Sequence, residues 1–209
     1  IFLWRLIVLI FLVLSHFARP SGKSEPPLLY LLLVASVPLI LVGLLVSTVM
    51  HELTRSIEVI GWATLIFGIL LGISDRIGMT LNRFQHMKYF DAILIGLAQI
   101  AALIPGASRA GVTITAALFL GYERASAARF SLLLAIPAIL GASLLKGLEI
   151  FLSNDISLGI DFLIAAGISF CAALASISVM MKWLSRAGFM PFVIYRLILG
   201  TLLLAWVYL

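Results

Sequence analysis

The chain has 209 residues, of which 63% are hydrophobic and only 11% are charged, and its mean hydropathy is +1.22. These values exclude a water-soluble domain and are typical of an integral membrane protein built from helices. The net charge of +5 does not indicate nucleic-acid binding, because the basic residues lie in short segments between apolar runs. The single cysteine, Cys171, excludes an internal disulfide. We therefore predict an all-α, polytopic membrane helical bundle that forms a single transmembrane domain over residues 1–209.

Apolar segments separated by short polar ones predict the helices. The chain begins at Ile1 inside an apolar run with no signal sequence before it, so we expect a fragment that lacks the start of its first membrane helix. Gly68 and Gly72 have the spacing of a close helix contact, although glycines are also common in membrane helices without one. The predicted helices cover residues 6–17, 28–50, 57–74, 130–145, 162–181 and 191–209, and a longer apolar stretch covers 92–122.

The stretch at 92–122 has 31 residues and one charge, Arg109. As a straight helix it would be roughly 46 Å long, which is too long for one crossing of a hydrocarbon core of roughly 30 Å and too short for two. Pro105 and Gly106 near its middle break the helix, so we predict a re-entrant, broken-helix hairpin. Broken backbone at membrane depth is stable only when it is buried in protein or lines a wet cavity, and the tip is therefore predicted to be a functional site.

The charges of the loops indicate the topology. If the hairpin enters and leaves on the same side, four basic loops share one face and two further loops share the other. By the positive-inside rule, the hairpin then opens from the cytoplasmic side. The basic loops are at 18–27, 75–89, 121–129 and 182–190, and the others are at 51–56 and 148–158.

The order of helices before the hairpin recurs faintly after it, with opposite sidedness. This pattern predicts an inverted-repeat architecture, as in many transporter folds. Residues 1–74 would be the remainder of the first repeat, and residues 75–209, with the hairpin at 92–122, would be the second.

Residues around the predicted tip are suited to an anion. Arg109 at mid-membrane is costly without an anionic partner or a wet pocket, and its planar guanidinium matches phosphate oxygens. A helix that begins near Gly111 would add free amide groups and a positive dipole end, and the Ser108 and Thr113 hydroxyls would add donors. Together with the turn at Gly106, these positive and hydrogen-bond-donating groups predict an oxyanion-binding site. The alternative is that Arg109 pairs with a carboxylate elsewhere in the bundle and that the hydroxyls bond to helix carbonyls.

Other signals near the tip are weaker. Gly106 and Gly111 have the glycine spacing of a P-loop, but Val112 stands where the lysine is required, which excludes an ATP-driven site of that type. Gln99 could hydrogen-bond at the tip or pack against the arginine or the backbone. Arg196 is either a second anion contact or a side chain that extends to the membrane interface.

Three runs of residues carry a family resemblance. They are Pro105-Gly106-Ala107-Ser108-Arg109-Ala110-Gly111 followed by Thr113, Phe130-Ser131-Leu132-Leu133-Leu134-Ala135-Ile136-Pro137, and Pro191-Phe192-Val193-Ile194-Tyr195-Arg196. With these runs, the sequence resembles the bacterial undecaprenyl-diphosphate phosphatase family, also called the bacitracin-resistance protein BacA family. The resemblance runs through the whole chain in the order and spacing of its loops.

The resemblance implies a multi-pass enzyme of the bacterial inner membrane. The enzyme would hydrolyse undecaprenyl diphosphate to undecaprenyl phosphate and phosphate, which recycles the lipid carrier for cell-wall synthesis. We expect a polyprenyl diphosphate lipid and membrane lipids as partners and no nucleic acid, and a homodimer is left open. Arg109 and Ser108 are assigned catalytic roles. Diphosphate binding is assigned to Thr113, Gly106, Gly111, Gln99 and Arg196.

The sequence also departs from the family pattern. The family has a further motif on a second hairpin, a Glu-rich run followed by Pro-x-Ser-Ser-x-Gly-His, and this chain has no counterpart for it. The divalent cation implied by the resemblance, Mg²⁺ or Ca²⁺, would therefore have its ligands in that motif and none within this chain. Ala110 stands where the family usually has serine. Two alternatives remain: a lipid-phosphate transporter or flippase of the inverted-repeat type, and an inactive truncated fragment.

Overall fold

The structure is a computed structural model, and it describes residues 27–46, 56–78, 82–83, 86–153, 156–184 and 186–208. Within these ranges the chain forms seven α-helices and no β-strand, so the predicted all-α class is confirmed. The helices are α1 (Leu28–Val46), α2 (Ile57–Ile77), α3 (Tyr89–Gln99), α4 (Arg109–Phe119), α5 (Arg124–Ser153), α6 (Ile156–Leu184) and α7 (Met190–Tyr208).

Three helices in the described part of the chain are long and apolar enough to cross a membrane. They are α2, the Ile164–Leu184 part of α6, and α7, with mean hydropathies of 2.0, 2.0 and 1.9. These lengths confirm a membrane protein made of helices. Several predicted segments lie outside the described residues: the helix at 6–17, the last residues of the helix at 28–50, and most of the loops at 18–27 and 51–56.

Helices α3 and α4 are the two limbs of the predicted hairpin. Each limb has 11 residues and is roughly 16 Å long, about half of a hydrocarbon core. The outer ends of the limbs lie side by side, because the Tyr122 hydroxyl, just after α4, donates to the Asp91 carboxylate in the first turn of α3 at 2.6 Å. The chain therefore enters and leaves on the same side. The core surrounds the hairpin and includes Leu31, Ala35, Ile95, Ala117, Leu118, Phe130 and Leu134.

Polar contacts join three loops at the outer end of the hairpin. The Asp75 carboxylate, near the end of α2, accepts a hydrogen bond from Arg124 Nε at 2.6 Å and one from the backbone N–H of Phe189 at 3.1 Å. The loops after α2, before α5 and before α7 therefore lie together at one face, as the sequence predicted. The assignment of that face to the cytoplasm stays a prediction, and so does the division into inverted repeats at 1–74 and 75–209.

A row of glycines on α2 allows α7 to pack closely against it. A Cβ atom on Gly68 would lie 3.1 Å from the Cβ of Arg196, and one on Gly72 would lie 3.1 Å from Cγ1 of Val193. The predicted close contact at Gly68 and Gly72 is therefore present, and α7 is the partner helix. The packing brings Arg196 to the centre of the bundle.

Helices α5 and α6 are longer than predicted. The loop predicted at 121–129 is helical from Arg124 onwards, and α5 continues to Ser153, so the loop predicted at 148–158 is largely helical too. Hydropathy marks the part of a helix that lies in lipid, whereas the helix continues into the polar interface where its charged residues find partners. Arg124, bound to Asp75, is such a residue.

Candidate functional site

The limbs of the hairpin are joined by a 3₁₀ turn, Ile100–Leu103, and by residues 104–108, where the backbone leaves helical geometry. Gly106 has a φ of +91° and Ser108 a φ of +64°. A Cβ atom on Gly106 would lie 2.9 Å from the Thr64 hydroxyl oxygen and 3.0 Å from the Ile60 Cα, so only glycine fits at this point. The hairpin tip therefore packs directly against the backbone of α2.

Ser108 caps the second limb of the hairpin. Its hydroxyl oxygen accepts a hydrogen bond from the backbone N–H of Gly111 at 3.3 Å. Among the residues that the structure describes, it is the one non-glycine residue with a positive φ, a strain of about 1–3 kcal/mol that surrounding contacts must hold. The side chain is exposed and stands at the positive end of the α4 dipole, next to free amide groups. This arrangement suits an anion.

A cavity of about 550 Å³ opens beside the tip, between α2, α4, α6 and α7. The polar side chains on its wall are Thr64, Ser108, Tyr195 and Arg196, and the Gly111 backbone also borders it. An apolar cavity with a few convergent polar groups is the usual form of a site for a small molecule or lipid. The apolar side chains on the wall are Ile60, Leu71, Ala110, Ile114, Met180, Phe189, Phe192 and Leu199.

Arg196 reaches the tip from α7 and is only 8% exposed. Its Nη2 donates to the carbonyl oxygen of Gly106 at 2.6 Å and to that of Ala107 at 2.9 Å. Its Nε donates to the Thr64 carbonyl oxygen at 3.4 Å. The guanidinium is therefore buried against the hairpin and does not extend to the membrane interface. Its contact with an anion stays a prediction.

Arg109, the charge predicted to clamp phosphate, lies on the other side of the tip. Its Nη1 donates to the carbonyl oxygen of Ala135 in α5 at 3.4 Å, and its side chain is not on the cavity wall. Within the described residues it has no carboxylate partner, so the alternative of a carboxylate pair is not found there. Ser108, Ala110 and Gly111 line the cavity, whereas Arg109 between them is directed toward α5.

Comparison with known proteins gives the family. Residues 1–202 match the family described as bacitracin resistance protein BacA. The chain belongs to the BacA family. It is similar to undecaprenyl-diphosphatase 1 of Rhodospirillum rubrum, with 47% identity over 192 residues that cover 90% of this chain and 68% of that protein. Undecaprenyl-diphosphatases of Jannaschia sp. and Hahella chejuensis are each 44% identical, and the matches cover 72% and 70% of those proteins.

In this BacA-family chain, two of the predicted diphosphate-binding residues lie behind the tip. The Thr113 hydroxyl donates to the Arg109 carbonyl oxygen at 2.9 Å and lies 2.6 Å from the Ser131 hydroxyl, so it joins α4 to α5. The Gln99 side chain is fully buried, and neither of its amide atoms has a hydrogen-bond partner in the described residues. Neither Thr113 nor Gln99 lines the cavity. Their contact with substrate stays a prediction.

The structure thus brings together Ser108, Gly106, Gly111 and Arg196 of the predicted set. It also places Thr64 at the tip, which was not predicted from the sequence. Thr64 donates its hydroxyl to the Gly106 carbonyl oxygen at 3.3 Å. A lone threonine in an apolar helix carries no signal in a single sequence, because such hydroxyls usually bond to their own helix.

The BacA-family resemblance implies a divalent cation, which needs oxygen or nitrogen ligands with negative charge nearby. Among the described residues there is no group of three or more His, Cys, Asp or Glu side chains that could hold a metal ion. The charged side chains at the tip are arginines, which repel a cation. The described residues therefore fit an anion and do not fit a resident divalent cation.

Proposed function

We propose that the protein hydrolyses undecaprenyl diphosphate to undecaprenyl phosphate and phosphate, as a multi-pass enzyme of the bacterial inner membrane. The BacA family and the names of its relatives support this reaction. The observation that carries the proposal is Ser108, which is exposed at the start of α4 beside a cavity that has Arg196 on its wall. A helix start with an adjacent guanidinium favours phosphate.

In this proposal the diphosphate head group binds at the N-terminus of α4. Free amide groups of the first turn and the Ser108 hydroxyl would bind its oxygens, and Arg109 and Arg196 would supply positive charge from two sides of the tip. Phosphoryl transfer depends mainly on positioning and on stabilising charge on the transferred group, which is what these donors provide. The apolar and aromatic wall of the cavity suits the lipid chain next to the head group.

The groups that break the bond are assigned to the family's other motif, which has no counterpart in this sequence. The divalent cation, Mg²⁺ or Ca²⁺, belongs with the carboxylates of that motif. No step is therefore assigned to a cation at the residues described above, which hold and orient phosphate.

The test measures phosphate release from undecaprenyl diphosphate in detergent micelles, with each variant made in a protein that carries both of the family's motifs. Arg109→Ala and Ser108→Ala are compared with Arg83→Ala, a control that removes an exposed basic residue on the loop side of the hairpin. We expect Ser108→Ala to lower turnover by about 10²-fold or more, since one lost donor to a transition-state oxygen has that effect. Arg109→Ala, which removes positive charge beside the tip, should lower turnover as well. The control should retain full turnover.

Two results would overturn the assignment. One is near-normal turnover by correctly inserted Arg109→Ala protein. The other is movement of the lipid across vesicles by wild-type protein that releases no phosphate, which indicates a flippase. The homodimer stays a prediction that the mass of the detergent-purified protein would test.

A further inference from the structure

The hairpin tip leaves backbone carbonyl groups without helical donors inside the helical bundle. The segment 104–108 lies between two helices, and the carbonyl groups of Gly106 and Ala107 have no backbone donor in the described structure. Unpaired carbonyl groups are strongly disfavoured where water is absent. The tip therefore needs donors from outside the hairpin.

One side chain supplies most of these donors. Arg196 Nη2 bonds both carbonyl oxygens, at 2.6 and 2.9 Å, and the Thr64 hydroxyl is a second and longer donor to Gly106, at 3.3 Å. Arg196 Nε is anchored in turn on the Thr64 carbonyl oxygen at 3.4 Å. The guanidinium thus bridges α7, α2 and the hairpin break.

The position of Arg196 depends on its surroundings on both sides. Gly68 allows the Arg196 Cβ to lie against α2, and Gly111 leaves room for Nη1, which would lie 2.6 Å from a Cβ at that position. Nη1 makes no hydrogen bond to any described residue, and Arg196 borders the cavity. No described carboxylate pairs with this buried charge. Within the described residues, the Arg196 side chain therefore bonds to backbone carbonyl oxygens and forms no ion pair.

We infer that Arg196 is the positioning residue of the hairpin tip: by holding the Gly106 and Ala107 carbonyls it fixes the left-handed backbone at Ser108 and so aims the Ser108 hydroxyl and the start of α4 into the cavity. Ser108 cannot keep a positive φ without such support. This role differs from a second substrate contact, because it exists before any ligand is bound. Its effect on catalysis rests on the proposed phosphatase function, whereas its effect on the tip does not.

Fluorine NMR of a label near the tip measures how many conformations the tip adopts. A trifluoroethylthio group is attached at Ala110→Cys, next to the tip, in a Cys171→Ala background that removes the other thiol. Fluorine NMR of ligand-free protein in micelles is then compared for Arg196, Arg196→Lys and Arg196→Gln. We expect one main resonance with arginine, a minor second resonance with lysine and several exchanging resonances with glutamine. Arg186→Gln, which removes an exposed charge in the loop before α7, is the matched control and should leave one resonance.

Turnover gives the second measurement. If the tip moves by about 1 Å in Arg196→Gln, phosphate release should fall about 10²-fold. Methylguanidinium ions added to Arg196→Ala should restore part of the turnover of unlabelled protein and the main resonance of labelled protein. An unchanged single resonance in folded Arg196→Gln protein, with turnover lost, would overturn the positioning role in favour of direct substrate contact.

The outcome is decided even if Arg196→Gln does not fold. Arg196→Lys and Thr64→Val are then compared, since each leaves one of the two donors to Gly106 in place. A tip spectrum identical to that of Arg186→Gln in both variants would overturn the inference. If wild-type protein releases no phosphate, the proposed function fails while the NMR comparison still tests the role of Arg196.

Discussion

Replacement of Asp75 by alanine removes the carboxylate that joins α2, α5 and the start of α7. The side chain is 5% exposed, whereas its partner Arg124 is 40% exposed. Loss of the charge-assisted bond to Arg124 costs about 1.5–3 kcal/mol, toward the lower end here because Arg124 can turn to water. The Phe189 N–H, left without an acceptor, adds about 1–3 kcal/mol. We expect a total loss of about 3 kcal/mol.

Thermal unfolding in detergent, followed by circular dichroism, measures this loss. Since 1 kcal/mol shifts the Tm of a chain of this size by roughly 2–4 °C, Asp75→Ala should melt about 6–12 °C below wild type. The Tm of Asp75→Asn, which keeps one acceptor oxygen, should lie between those of wild type and Asp75→Ala. The matched control is Arg83→Ala, which breaks the exposed ion pair with Glu123 and should cost about 1 kcal/mol or less. If Asp75→Ala melts within about 2 °C of Arg83→Ala, the contact does not hold the loops together.

Two further predictions use buried polar groups. Gln99→Met removes an amide that has no hydrogen-bond partner among the described residues. Because an unsatisfied buried amide costs about 1–3 kcal/mol, we expect the Tm of this variant to equal that of wild type or to lie a few degrees above it. A clear drop in Tm would show that the amide has a partner. Burial, followed by the hydrogen bond to Asp91, raises the pKa of Tyr122 above its ordinary value of about 10. The folded chain therefore keeps this proton above pH 10 while the unfolded chain releases it, so stability should fall as the pH rises above about 10. Tyr122→Phe should flatten that fall in Tm measured from pH 8 to 11, and an unchanged slope contradicts the assignment.

The hairpin could be predicted from the sequence because its signals are local. A 31-residue apolar stretch has a length that no simple crossing satisfies, and Pro105 and Gly106 mark the break within it. The glycine spacing at Gly68 and Gly72 likewise indicated a close contact, although not which helix would make it. Loop charge was sufficient to place the described loops on one face, since it reflects how each segment inserts.

The orientation of side chains at the tip could not be predicted in the same way. Arg109 and Arg196 both looked like anion contacts, but the contacts of Arg196 depend on the packing of α7 against α2, which brings together residues far apart in the chain. The bond between Thr113 and Ser131 and the bond between Asp75 and Arg124 have the same origin. A single sequence lists polar residues but does not say which of them face each other.

The donor for the tip carbonyls is made late in synthesis. Arg196 follows Gly106 by 90 residues, so α5, α6 and the first turns of α7 must leave the ribosome before the guanidinium can reach its acceptors. At about 5–20 residues per second, this delay is roughly 5–20 s. Among the described residues that precede the hairpin, Thr64 is the one whose side chain donates to the break during that time. Membrane insertion of the hairpin and completion of its site are therefore separate events, and a defect in the last helix is expected to impair a tip whose own residues are all present.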